Sequence, residues 1–151
     1  MATYNCSSTA ETDRLARRVG ALLRPGDIVA YRGGMGAGKT TFTRGLAAGM
    51  GIEDWVSSPT FALVHEYRGA AGQLLCHFDM YRIQGFDDLY STGFFDYLEA
   101  GGVLAVEWSE NIDGVLPAGA IVIELEITGE ESRRITITGD ARFDADLMCG
   151  E

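Results

Sequence analysis

Lysine occurs once in this chain of 151 residues, at Lys39, within Gly33-Gly34-Met35-Gly36-Ala37-Gly38-Lys39-Thr40. That run is a complete GxxxxGK[ST] phosphate-binding pattern. Its glycines, with Ala37, let the backbone curl until successive N–H groups point at phosphate oxygens. Lys39 then reaches the outer phosphates, the Thr40 hydroxyl suits Mg²⁺, and Thr41 follows in the same first turn of helix. Hydrolysis or transfer needs more than a cradle: a second carboxylate directed at the metal and a group that orients the attacking oxygen. Two acids offer themselves at the ends of apolar runs, Asp79 after Leu74-Leu75-Cys76-His77-Phe78 and Glu107 after Val103-Leu104-Ala105-Val106. Thr60 follows Ser57-Ser58-Pro59 where a switch-type threonine would sense a terminal phosphate. Trp108, directly after Glu107, either stacks near a nucleotide or packs.

These residues require strands that end at one place and a helix that begins there. Asp27-Ile28-Val29-Ala30-Tyr31, after the turn signal Arg24-Pro25-Gly26, reads as a buried strand leading into the loop. Beyond the loop, Phe42 and Leu46 lie four apart on a helical face that stops at Gly49-Met50-Gly51. Phosphates would then sit at the N-terminus of that helix, in its positive field. An earlier helix opens on the capping-box pattern Ser8-Thr9-Ala10-Glu11, with Leu15, Val19, Leu22 and Leu23 at helical spacing. Its Arg14, Arg17 and Arg18 read as a solvated face.

Phe61 to Tyr67 and Gln73 to Phe78 flank the glycine turn Arg68-Gly69-Ala70-Ala71-Gly72 as a strand pair. Phe86 to Tyr90 and Phe94 to Leu98 read as short helical pieces whose aromatics serve as core or cover rather than as a base-stacking platform. Ala120 to Ile127 and Arg133 to Thr138 alternate apolar and polar residues around Thr128-Gly129-Glu130-Glu131, an antiparallel hairpin. A short helix is expected around Phe143 and Leu147. The sum is one three-layer α/β domain over residues 1–151, of the P-loop NTPase kind, with a mostly parallel central sheet and an antiparallel extension.

Composition narrows the function classes. With 22 acidic against 12 basic residues the net charge is −10, so the chain is not built to grip nucleic acid through its own surface. Three cysteines, Cys6, Cys76 and Cys149, have no metal-ligand spacing and suit a reducing compartment. Neither a leader pattern nor a membrane-length apolar run is present, and the expected location is cytosolic. His65 and His77 read as structural, with Cys76 and His77 on opposite faces of a strand. A guanine-reading N/T-K-x-D motif needs a lysine outside the phosphate loop, so ATP is expected rather than GTP.

Four blocks together resemble one family, the bacterial TsaE (YjeE) type ATPase of tRNA threonylcarbamoyladenosine biosynthesis. They are Gly36-Ala37-Gly38-Lys39-Thr40-Thr41-Phe42-Thr43-Arg44-Gly45-Leu46, Ser58 to Tyr67, His77-Phe78-Asp79-Met80-Tyr81-Arg82, and Glu107-Trp108-Ser109-Glu110. The resemblance implies ATP and Mg²⁺, with Lys39 on the phosphates and Thr40 and Glu107 as metal ligands. It implies that Asp79 contacts the nucleotide or its metal and is needed for hydrolysis, and that Arg133 contacts nucleotide. It implies partners, the TsaD and TsaB type subunits that transfer the threonylcarbamoyl group to adenosine 37 of tRNAs reading A-starting codons, with tRNA held by those partners. The ATP cycle would reset that complex between turnovers. Two positions depart from the family pattern: Gly34 stands where Asp is common, and Met80 where Leu is usual.

No arginine-finger segment is evident, and such a group is worth about 10³–10⁵ in rate, so the reading is a slow ATPase stimulated by its complex. Two other readings share the phosphate loop. A small-molecule kinase would need an acceptor pocket and an Arg-bearing lid, and no Arg-rich lid segment is present. A non-hydrolytic, nucleotide-gated binding module would use ATP to order Ser57 to Thr60 for docking.

Overall fold

The computed structural model describes residues 1–33, 38–53, 64–79, 86–91, 93–107, 114, 116, 119–144 and 147. Seven strands form one sheet in the order β1-β7-β6-β2-β5-β4-β3. The strands are β1 Ala2–Cys6, β2 Ile28–Arg32, β3 Val64–Arg68, β4 Leu74–Asp79, β5 Val103–Glu107, β6 Ile121–Ile127 and β7 Arg133–Thr138. The helices are α1 Thr9–Leu22, α2 Lys39–Gly49, α3 Phe86–Ser91 and α4 Phe94–Glu99, and a 3-10 turn covers Ala141–Phe143.

The centre is parallel: β2 pairs with β5 on one side and β6 on the other, and β5 pairs with β4. Near-continuous apolar runs such as Ile28-Val29-Ala30-Tyr31, buried on both faces, are what a covered parallel sheet demands. Both edges are antiparallel, β6-β7-β1 at one and β4-β3 at the other. Alternation divides the core. Val29, Tyr31, Leu75, Val103 and Ala105 face Leu15, Val19, Phe42 and Leu46 of α1 and α2. Ile28, Cys76, Phe78, Leu104 and Val106 instead face Phe94 of α4. The expected three-layer α/β architecture, parallel core and antiparallel extension are all present.

Helices α1 and α2 pack together through glycine. A Cβ built on Gly20 would lie 2.2 Å from the Leu46 carbonyl oxygen, and one on Gly49 would lie 2.0 Å from that of Arg17. Only residues without a side chain permit backbones so close.

Three features differ from the sequence reading or extend it. Strand β1 was not anticipated: Tyr4 and Cys6 turn inward while Thr3 and Asn5 do not, but five residues are a short pattern and the partner, β7, lies far along the chain. Of the helix expected around Phe143 and Leu147, the described residues show a 3-10 turn over Ala141–Phe143 that buries Phe143, residues 145–146 and 148–151 lie outside the described residues, and the Leu147 carbonyl accepts from the Arg18 guanidinium at 2.6 Å. Of the expected core aromatics, Phe94 and Tyr97 meet Phe78 edge-on at 5.4 and 5.7 Å, whereas Tyr90 is 67% exposed. Among the described residues no helix is long and apolar enough to cross a membrane.

Candidate nucleotide-binding site

Parallel strands deliver their carboxyl ends to one rim of the sheet, the place where open α/β sheets bind ligands. Strand β2 ends there at Arg32, and the register sets Val106 beside Ala30 and Asp79 beside Glu107. Helix α2 starts at the same rim, straight after the loop. Gly38 caps it with φ +100° and ψ 23°, and no side chain caps the helix. Of the loop and its successors, Gly33, Gly38, Lys39, Thr40 and Thr41 are described; Gly36, Ala37, Thr60 and Trp108 lie outside the described residues, as does the side chain of Asp79.

Lys39 is buried at 7% exposure, unusual for a lysine. Its ammonium donates to the Gly33 carbonyl at 3.1 Å and stands 3.9 Å from Glu107 Oε1. An ammonium drawn in at the foot of a phosphate loop, with a carboxylate from the neighbouring strand close by, is a donor set suited to phosphate and a divalent cation. Thr40 and Thr41 are exposed on the first turn of α2.

Beneath that turn lies a buried relay. Tyr31 donates its phenolic hydrogen to the Thr43 hydroxyl at 2.9 Å, and Thr43 donates in turn to the Lys39 carbonyl at 2.9 Å. Burial raises the Tyr31 pKa well above the usual phenol value, outweighing the hydrogen bond to Thr43, so the relay keeps its proton. It pins the turn that carries Lys39 to the central strand.

Glu107 is held between two partners. Oε1 faces Lys39, and Oε2 lies 2.5 Å from His77 Nε2, a buried nitrogen without a formed hydrogen bond. Burial pushes the Glu107 pKa up, but His77, Lys39 and His65 together hold it below the ordinary carboxylate value. The carboxylate is thus anionic at neutral pH, as a metal ligand must be.

The structure therefore brings Lys39 and Glu107 together and sets the Asp79 backbone beside Glu107. Arg133 stands at the start of β7, separated from β2 by β6, and donates to the Ser132 and Gly129 carbonyls at 2.8 and 3.2 Å. His77, read from sequence as a structural histidine, is a site neighbour. Its place two residues before Asp79, on the same face of the strand, was the available signal. Cys76 does face the other side of the strand, as expected.

Comparison with known proteins places these features in a context. Residues 6–135 match the family model for the threonylcarbamoyl adenosine biosynthesis protein TsaE. The chain is 39% identical to the tRNA threonylcarbamoyladenosine biosynthesis protein TsaE of Bacillus subtilis, over 85% of this chain and 79% of that one. Its identity with the protein of the same name from Streptomyces coelicolor is also 39%, over 83% and 88% of the two chains. The crystal structure of Bacillus subtilis YdiB superposes with a TM-score of 0.73 at 33% identity, covering 94% of this chain and 88% of that one.

Proposed function

The chain belongs to the TsaE family and so to the biosynthesis of threonylcarbamoyladenosine in tRNA, and we propose that its part there is that of a Mg²⁺-dependent ATPase. The observation that carries this reading is the convergence of the only lysine with Glu107, 3.9 Å apart at the rim where the uncapped helix α2 begins.

In this reading Gly33, Gly36, Ala37 and Gly38 lend backbone N–H groups to the phosphates, and Lys39 exchanges the Gly33 carbonyl for the outer phosphates. The Thr40 hydroxyl and the Glu107 carboxylate are the residues that would hold Mg²⁺, an oxygen donor pair that suits this cation. When bound, Mg²⁺ supplies neutralisation of the charge that builds on the leaving phosphate oxygens. Thr41 adds a hydroxyl to the same turn. Asp79, beside Glu107 in the sheet, contacts the nucleotide or its metal and is needed for hydrolysis, and Thr60 senses the terminal phosphate. Trp108 packs at the nucleotide, and Arg133 supplies a further cation from the same end of the sheet. These last four assignments rest on family likeness and position along the chain.

The physiological partners in this proposal are TsaB and TsaD type subunits in the cytoplasm. Hydrolysis resets their complex, and they, not this acidic chain, hold the tRNA. Steady-state phosphate release from Mg-ATP, by the chain alone and with a TsaB–TsaD pair, tests it. Slow release that rises at least tenfold with the pair is the expected result. Release unaffected by the pair, or label from γ-phosphate appearing on a small acceptor instead of as inorganic phosphate, would overturn it in favour of a kinase. Full support of repeated modification cycles by a non-hydrolysable analogue would instead favour a nucleotide-gated module.

A further inference from the structure

We infer that His77 is a positioning residue for Glu107: its Nε2–H retains the Oε2 oxygen, leaving Oε1 as the oxygen presented at the start of α2. The inference rests on the reading above, in which Glu107 holds Mg²⁺.

The register produces the pair. His77 stands opposite Ala105 in the β4–β5 ladder, and Glu107 lies two residues beyond Ala105, so both side chains fall on the α1–α2 face. His77 is 5% exposed, with Tyr31 edge-on at 6.5 Å and His65 tilted against it at 6.3 Å. Its Nε2 is a buried nitrogen without a formed hydrogen bond, and Glu107 Oε2, 2.5 Å away, is the acceptor within reach. A slight turn of ring or carboxylate completes the bond. Buried donors seldom stay orphaned, and the carboxylate is the group able to end that state.

The two oxygens of Glu107 therefore have different fates. Oε1 faces Lys39, which a nucleotide would draw toward its phosphates. Oε2 faces a ring that is itself buried. Once Lys39 turns to its ligand, His77 is what keeps the carboxylate from swinging away. Carboxylates that bind metals are commonly fixed in this manner by a neighbour that does not touch the metal.

The test uses the full chain with Mn²⁺ as the metal probe, read by electron paramagnetic resonance in the presence of a saturating non-hydrolysable ATP analogue. Loss of such a supporting contact typically weakens metal binding about 10–100-fold, so His77→Leu should raise the Mn²⁺ midpoint at least tenfold. Binding of the analogue in EDTA should stay within about twofold, below a 0.5 kcal/mol change. His77→Gln, which restores a side-chain N–H donor, should recover most of the metal affinity. An unchanged midpoint in His77→Leu, a Gln variant no better than Leu, or equal loss of analogue binding in EDTA would each overturn the inference. Glu107→Gln separates the two levels: if it leaves the midpoint unchanged, the metal-ligand reading falls and this inference falls with it. If Glu107→Gln weakens Mn²⁺ while His77→Leu does not, the positioning role alone is refuted.

Discussion

The two long helices on the same face of the sheet begin in opposite ways. Helix α1 closes its own N-terminus: the Ser8 hydroxyl accepts from the Glu11 N–H at 3.2 Å, and the Glu11 carboxylate reaches back to the Ser7 N–H at 2.7 Å and to the Ser7 hydroxyl. Helix α2 begins at a glycine in the left-handed region with no side-chain cap, and its first residue is the buried Lys39. Both starts have the same orphan N–H groups and the same positive end of a dipole. One spends them internally for stability. The other has no side-chain cap and adds a cation, so in the proposed reading anion binding and stability are divided between two helices that touch.

Substitutions at the two starts should therefore have different signatures. The largest effect belongs to Lys39→Ala, which removes a charged hydrogen-bond donor to phosphate and should weaken Mg-ATP binding roughly 100-fold, about 3 kcal/mol, by titration calorimetry. Unchanged affinity would erase the contrast. Gly38→Ala comes next. A Cβ there meets nothing within 4 Å, so its cost is conformational: the φ of +100° should cost about 1–3 kcal/mol in denaturant unfolding and impair nucleotide binding as well. On the other helix, Ser8→Ala should cost about 1 kcal/mol of stability and leave nucleotide affinity unaltered. A change in affinity there would mean that the two ends are not independent.

The smallest effect is in pH. Hydrogen bonds from the Ser7 side chain and backbone hold the Glu11 pKa below its ordinary value of 4.5. A depressed folded-state value means that the unfolded chain takes up the proton first. The stabilisation is complete above about pH 4.5 and is lost as pH falls through the folded value. Glu11→Gln should accordingly lower stability slightly at neutral pH and flatten the acid limb of a stability profile. An unaltered acid limb would show that the closed start of α1 does not depend on the carboxylate's charge.

The sequence made some of this visible and not the rest. The phosphate loop, the strand before it, the acids at two strand ends and the β6–β7 hairpin all rest on short-range patterns: a motif, a period of two, a glycine turn. Helix α1 was legible from its cap and its apolar spacing. Strand β1 was not, because its burial is decided by β7, more than a hundred residues away. The role of His77 was hidden for the same reason. Spacing within β4 says nothing about the register that sets His77 opposite Ala105 and so brings the Glu107 carboxylate to its ring. Arg133 was legible only as a resemblance: spacing does not show that the first residue of β7 donates to the Gly129 and Ser132 carbonyls of its own turn. Thr60 and Trp108 carry expectations that lie outside the described residues.

The crossing of α1 and α2 has a mechanical consequence. Most helix pairs meet through side chains, and those can change rotamer to absorb a small displacement. At Gly20 and Gly49 main chain abuts main chain, so at these two points no side chain stands between the helices to change rotamer. Relative sliding of the two helices at these points would drive backbone into backbone. Helix α1 is in turn joined to the chain at Leu147, whose carbonyl accepts from Arg18 at 2.6 Å. In hydrogen exchange the two helices should open as one unit rather than two.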